Sequence, residues 1–215
     1  MNKKILIPVI LLLLTVGFAG CPQQPNGDKG NPEMTLQEIL AKGKNIDNIE
    51  YDLVVIKPFP VTAKFYQKGI KVKTETSFLG QTQITIFNGE KIYTYDSATD
   101  TYYETSAEGS STGLDFKDFS SQALNDTELK EIGRETINNM PARKIEFNYK
   151  EPSTEEKTKI SAWISEEYGI PIKMLMETSM GSAEMELKNI KTGLVSDSVF
   201  EIPADKIKPI EEMYS

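Results

Sequence analysis

Apolar and polar residues change rhythm three times along these 215 residues. Residues 5–16 form an apolar block broken only by Pro8 and Thr15, and residues 22–34, PQQPNGDKGNPEM, have almost no apolar content. Helical spacing follows. Leu36, Ile39 and Leu40 make a stripe, Thr35 and Glu38 have capping-box spacing, and Gly43 offers a stop. The period then shortens to two. Ile49, Tyr51, Leu53 and Val55 alternate with polar neighbours, as do Val61, Ala63 and Phe65, Ile70 and Val72, Ile84 and Ile86, and Tyr93 and Tyr95. Such alternation predicts strands with one wet face. Phe87-Asn88-Gly89-Glu90 predicts a hairpin, because Asn-Gly accepts positive φ at both turn positions. Asp96 to Asp100 predicts the next turn, returning into 101–104.

One helical stretch interrupts the strands. Phe116, Phe119, Ala123 and Leu124 fall on a single helical face. Strands then resume over 128–136, 142–149, 157–164, 170–178 and 183–191, with turns at NNMP and at Glu166-Glu167-Tyr168-Gly169. The expected fold is mainly β: an antiparallel meander of about ten strands, curled into a strongly curved sheet or incomplete barrel with both helices on its concave side.

The ends of the chain and its charge refine this picture. Lys3 and Lys4, the apolar block, and Gly17, Ala19 and Gly20 have the order of a secretory signal, and the block is too short for a good membrane span. Phe18-Ala19-Gly20-Cys21 resembles a lipobox, with Phe18 where an aliphatic residue is usual. That resemblance implies cleavage before Cys21 and its lipidation; an uncleaved anchor or an ordinary signal are the alternatives. The expected layout is a signal at 1–20, a lipidated cysteine and flexible tether at 21–34, and a folded domain at 35–215. Cys21 is the only cysteine, so a domain beyond it has no disulfide or thiolate nucleophile. The net charge of −8 argues against nucleic acid and against adhesion to anionic headgroups, so lipid on Cys21 would hold the protein at the extracytoplasmic side of a membrane.

Catalytic chemistry finds little support. Gly109-Ser110-Ser111-Thr112-Gly113 spells a nucleophile elbow, but the chain has no histidine to serve as base and a polar loop precedes the motif. A solvated loop is the better interpretation. Zinc and copper lack their usual ligands. Asp96, Asp100 and Glu104 offer oxygens for calcium without the regular spacing of an EF-hand, so a turn capped by Asp side chains is favoured. Glu151, Glu155 and Glu156 read as a solvated hairpin end, and Asn125-Asp126-Thr127 as a weak glycosylation sequon. No enzyme activity, metal or cofactor is expected.

ITIFNGEKIYTYDSATDTYYE, SAWISEEYGIPIKMLME and VFEIPADKI, set in the order helix, meander, helix, meander, resemble the periplasmic lipoprotein carrier and receptor superfamily, the Lol proteins. That superfamily includes regulators of envelope-stress sigma factors. The resemblance spans about residues 35–207 and implies a curved sheet around helices, with an apolar cavity for acyl chains. The expected function is therefore a membrane-anchored protein that binds a lipid, an acyl chain or a lipoprotein acyl group without catalysis. The alternative is a surface interaction or sensing module with a filled core and another envelope protein as partner.

Candidate ligand contacts are apolar. Met174, Met176 and Ile172 share a strand face with Ile170, and Met185 and Leu187 lie on the next strand. Methionine adapts to irregular apolar shapes, which suits a cavity and equally suits ordinary core. Phe116 and Phe119 are either a movable lid or the plug that completes the core. Trp163, of opposite parity to Ile160 and Ile164, faces outward or seeds a second cluster.

Overall fold

The computed structural model describes residues 33–78, 81–107, 115–150, 157–179 and 181–214. Cys21, the motif at 109–113 and the acidic run at 151–156 lie outside them. Met34–Ser215 forms one compact unit. Its first element, α1 (Leu36–Gly43), begins at a complete capping box: Thr35 Oγ1 accepts from the Glu38 amide at 3.3 Å, and the Glu38 carboxylate accepts from the Thr35 amide at 2.7 Å. Six strands follow: β1 (Asn48–Lys57), β2 (Val61–Lys68), β3 (Lys71–Phe78), β4 (Gln81–Phe87), β5 (Lys91–Asp96) and β6 (Thr101–Ser106). Helix α2 (Phe116–Asn125) is capped by the Asp115 side chain, which accepts from the Asp118 amide at 2.8 Å. Five more strands come next: β7 (Lys130–Ile137), β8 (Met140–Lys150), β9 (Lys157–Ser165), β10 (Pro171–Thr178) and β11 (Gly181–Thr192).

All of these strands join one curved open sheet, completed by a short β12 (Ile207–Pro209) to make twelve. The order across it is β12-β6-β5-β4-β3-β2-β1-β11-β10-β9-β8-β7. A simple meander was expected, but the sheet is two meanders joined where β11 returns to pair antiparallel with β1. β12 adds a parallel edge beside β6. Both helices lie on one face. Leu36, Ile39 and Leu40 of α1 and Ala123 of α2 pack with Ile145, Phe147, Ile160, Ala162, Ile164 and Met174 of β8–β10.

Three local expectations change. Ile70 sits in a turn and is 70% exposed, outside β3. At the Asn-Gly hairpin only Gly89 has positive φ (+105°), because Asn88 Oδ1 accepts from the amides of Glu90 (3.0 Å) and Lys91 (2.9 Å) and closes the turn with its side chain. Paired positive φ occurs instead at Asn138 (+49°) and Asn139 (+64°), between β7 and β8. The Gly43 stop also has another cause. The next residue, Lys44, stays right-handed, and a Cβ on Gly43 would lie 2.3 Å from the Gly169 carbonyl oxygen. Gly169, at φ +73°, returns the constraint, since a Cβ there would meet the Ile39 oxygen at 2.1 Å. Two backbones touch where α1 crosses the β9–β10 turn, and only glycines fit.

Candidate hydrophobic-ligand site

The helix-bearing face is sealed at one end and half-open at the other. Its floor is made by Ile39, Leu40, Ile49, Tyr51, Ile145, Ile164, Ile172 and Leu187, none more than 1% exposed. Further along β10, β11 and β1, the side chains of Met176, Met185, Leu53 and Val55 are only half-buried. Register explains the grouping: Val55 pairs with Met185, which pairs with Met174, and Leu53 pairs with Leu187. Alternation puts all of them on the face toward the helices.

Helix α2 lies between these regions. Phe116, 3% exposed, meets Tyr51 edge-on at 5.8 Å between ring centroids, and Tyr51 stacks on Phe65 at 5.1 Å. Phe119 meets Phe147 edge-on at 5.6 Å and is itself half-buried. Of the seven sequence candidates, Phe116, Ile172 and Leu187 enter the sealed floor, and Met174 (5% exposed) lies under the helices. Phe119, Met176 and Met185 form the half-open part. Tyr51, Phe65, Leu53 and Val55 belong with them and were missed. Their alternation marked them as a strand face; nothing local tied that face to α2, which begins 51 to 65 residues further along.

Polar groups fasten α1 at the sealed end. Arg143, 8% exposed, donates from Nε to Glu166 Oε1 at 2.7 Å, from Nη1 to Glu131, and from Nη2 to the Met34 carbonyl at 3.1 Å. Lys42 Nζ donates to the Glu166 carbonyl at 2.7 Å, and Arg134 adds an ion pair to Glu166 at 2.9 Å. Partial burial pushes the Glu166 carboxyl up, but its hydrogen bond to Arg143 and the charges of Arg134 and Arg143 outweigh this and hold it below the ordinary glutamate value. The cluster therefore locks one helix onto the sheet, whereas α2 ends at Asn125 with no basic residue in its last turn.

Other sequence candidates resolve into structural roles. Asp96 accepts from the Ala98 amide and the Thr99 hydroxyl, both at 2.9 Å, and Asp100 from Tyr95 and Lys206, so the Asp-capped turn is what forms. Asp126 of the sequon caps the Glu128 and Asn148 amides, each at 2.8 Å. Trp163 lies on the face away from the helices. It is 8% exposed, flanked by Lys144 and Lys173 at 4.9 and 5.4 Å, and donates to Glu135 at 2.9 Å. Among the described residues, no helix is long and apolar enough to cross a membrane.

Comparison with known proteins extends this geometry. A family model described as a domain of unknown function (DUF4412) matches residues 141–206, from β8 through the segment after β11. An uncharacterized protein of Methanocaldococcus jannaschii is 25% identical over an alignment of 213 residues that covers 97% of this chain and 58% of that relative. The chain thus spans little more than half the length of that relative. Among solved structures, LprF of Mycobacterium bovis is similar over 79% of this chain and 97% of its own, with a TM-score of 0.56 and 14% identity. The lipoprotein LppX of Mycobacterium tuberculosis gives 0.51 and 13% over 75% of this chain and 97% of its own. MucB of Pseudomonas aeruginosa, solved in complex with MucA, gives 0.50 and 12% over 79% of this chain and 62% of the other. The curved open sheet with helices on one face is the fold these proteins share with this chain.

Proposed function

We propose that this protein is a lipid-anchored, extracytoplasmic binding protein that holds an acyl chain or similar apolar ligand, without covalent chemistry. The carrying observation is the graded burial of one sheet face. A floor sealed by Ile39, Leu40, Ile172 and Leu187 runs without a break into half-buried Met176, Met185, Phe119 and Val55. An apolar surface left half-covered beside a dry core is where a chain gains most by burial, roughly 0.8 kcal/mol per methylene. Methionine there tolerates ligands of different shape. Phe116 and Phe119, both on the short α2, are the groups that would move to deepen the site, while α1 stays locked by Arg143. Similarity to LppX, itself a lipoprotein, supports this reading, as does the signal-like start ending at Cys21.

The test is native mass spectrometry of the full chain, purified gently and then extracted with organic solvent. A bound acyl species is expected, retained by the parent and lost in Met185→Asp, whose half-buried position lets the fold survive. A bare mass in both, with no uptake of added fatty acid or diacylglycerol, would end the lipid-binding account. One observation favours a second reading. Phe116 already fills the floor at 3% exposure, as a closed interaction module would require, and MucB on this fold has been solved with MucA. Under that reading the half-buried patch receives an envelope protein.

A further inference from the structure

The described residues bury five serine, threonine or arginine side chains, and four of them have partners. Thr101 Oγ1 donates to the Thr99 carbonyl at 3.1 Å, Ser165 Oγ accepts from the Tyr168 amide at 3.2 Å, and Ser161 Oγ donates to Glu146 at 3.4 Å. Arg143 is bonded as described above. The exception is Ser120 of α2, which is 0% exposed and whose hydroxyl has no hydrogen-bond partner among the described residues. Its neighbour shows that the helix itself can satisfy a serine: Ser121 Oγ donates to the Lys117 carbonyl, four residues back, at 2.8 Å. Ser120 makes no such bond.

Ser120 stands in the middle of the buried face of α2, one turn from Phe116 and one turn from Ala123. Phe116 meets Tyr51 at the sealed floor, and Ala123 packs with Leu36, Ile39 and Leu40 of α1. Phe119, next to Ser120 in the chain, borders the half-open part with Met176 and Met185. The hydroxyl is thus a polar group set into an apolar face beside the proposed acyl site. Packing gives no reason for it, because alanine at position 123 fills the same kind of contact at 0% exposure. An unbonded buried hydroxyl leaves the free protein less stable than alanine would, and an apolar surround offers a bridging water too few partners.

A serine hydroxyl supplies one donor. In a dry apolar site it complements one neutral acceptor, such as the carbonyl oxygen at the head of an esterified acyl chain. A free carboxylate fits poorly: buried charge needs a cation, and Arg143 on this face already serves Glu131 and Glu166. A bare hydrocarbon leaves the hydroxyl as it is. We infer that Ser120 donates a hydrogen bond to the ester carbonyl oxygen of the acyl ligand, reached when α2 shifts to admit the chain that runs against Met176 and Met185. This rests on the acyl-binding reading above and names the group by which the chain is held.

The experiment titrates the full chain with methyl palmitate, palmitate and hexadecane, each displacing a fluorescent acyl probe, in the parent, Ser120→Ala and Ser121→Ala proteins. In Ser120→Ala the affinity ratio of ester to hexadecane is expected to fall about fivefold, the scale of one net hydrogen bond, and in Ser121→Ala to stay unchanged. Free Ser120→Ala should also melt about 2–4 °C higher than the parent, since alanine removes the unbonded hydroxyl; a merely structural serine would give no rise. An ester labelled at its carbonyl carbon should show that infrared band at lower frequency in the parent than in Ser120→Ala. An unchanged ester-to-hexadecane ratio, a melting temperature that does not rise, or palmitate binding more tightly than its ester would overturn the assignment and leave the acyl-binding reading standing. Displacement by none of the three would overturn both.

Discussion

The two halves of the sheet solve the same problem in opposite directions. In β8–β11 the apolar residues face the helices, and Ile145, Ile160, Ala162, Ile164 and Met174 are sealed beneath α1 and α2. In β4–β5 they face the other way. Ile86 (1% exposed) and Tyr93 (8%) pack with Val195 and Phe200 of the segment after β11, which crosses the face away from the helices. Asn48 fastens the start of that segment through Val195, Lys68 and Lys71 hold Asp197, and β12 pairs with β6 at its end. β1 is the seam between the two arrangements. One sheet thus carries two cores on opposite faces, and the helix-bearing face of the N-terminal half packs mainly where β2 adjoins β1, through Ala63 and Phe65.

The comparison breaks most severely at the glycine contact. Gly169→Ala places a Cβ 2.1 Å from the Ile39 carbonyl in a left-handed backbone, so α1 must lift. A loss of about 3 kcal/mol in urea unfolding is expected, the scale of strain at a special backbone position combined with core disruption. Phe200→Ala should cost about 3 kcal/mol by removing a buried ring. Its amide hydrogen exchange should rise in β4–β5 and stay unchanged in β8–β10. Uniform loss of protection would mean that the two cores are one cooperative unit.

Arg143→Leu comes next, since it leaves Glu131 and Glu166 without their shared cation. The pair is partly solvated, so about 2 kcal/mol is expected rather than the full buried-pair figure. The smallest effect is a pH dependence. Glu166 has its carboxyl held below the ordinary value, so its contribution is complete above the unfolded-state value near 4.3 and is lost as pH falls through the lower folded-state value. Glu166→Gln should flatten that part of the acid limb of the stability curve while leaving the neutral region level.

Much of this was legible in residue order, for local reasons. The capping box at Thr35 and Glu38, the helical face of Phe116 and Phe119, and the alternating strands are short-range patterns, and each formed where expected. Alternation shows that two faces differ without saying which one meets a helix. Ile86 and Phe65 look equivalent in sequence, yet they face opposite sides of the sheet. The β1–β11 closure depends on residues 127 to 143 apart, and the short β12 has no periodicity to detect. Trp163 was left between two environments because its outcome depends on Lys144, Lys173 and Glu135, on three other strands. The methionines were found by composition; that some are sealed and others half-open depends on where the helices end.

The most direct test of a ligand lying against the half-open part of this face uses methyl-labelled methionine in the full chain, observed by NMR as diacylglycerol is added. The account predicts shifts at Met176 and Met185, a smaller change at Met174 beneath the helices, and none at Met140, in the β7–β8 hairpin at the far end of the strands. Unmoved Met176 and Met185 signals at saturating lipid, or perturbation confined to Met140, would contradict it.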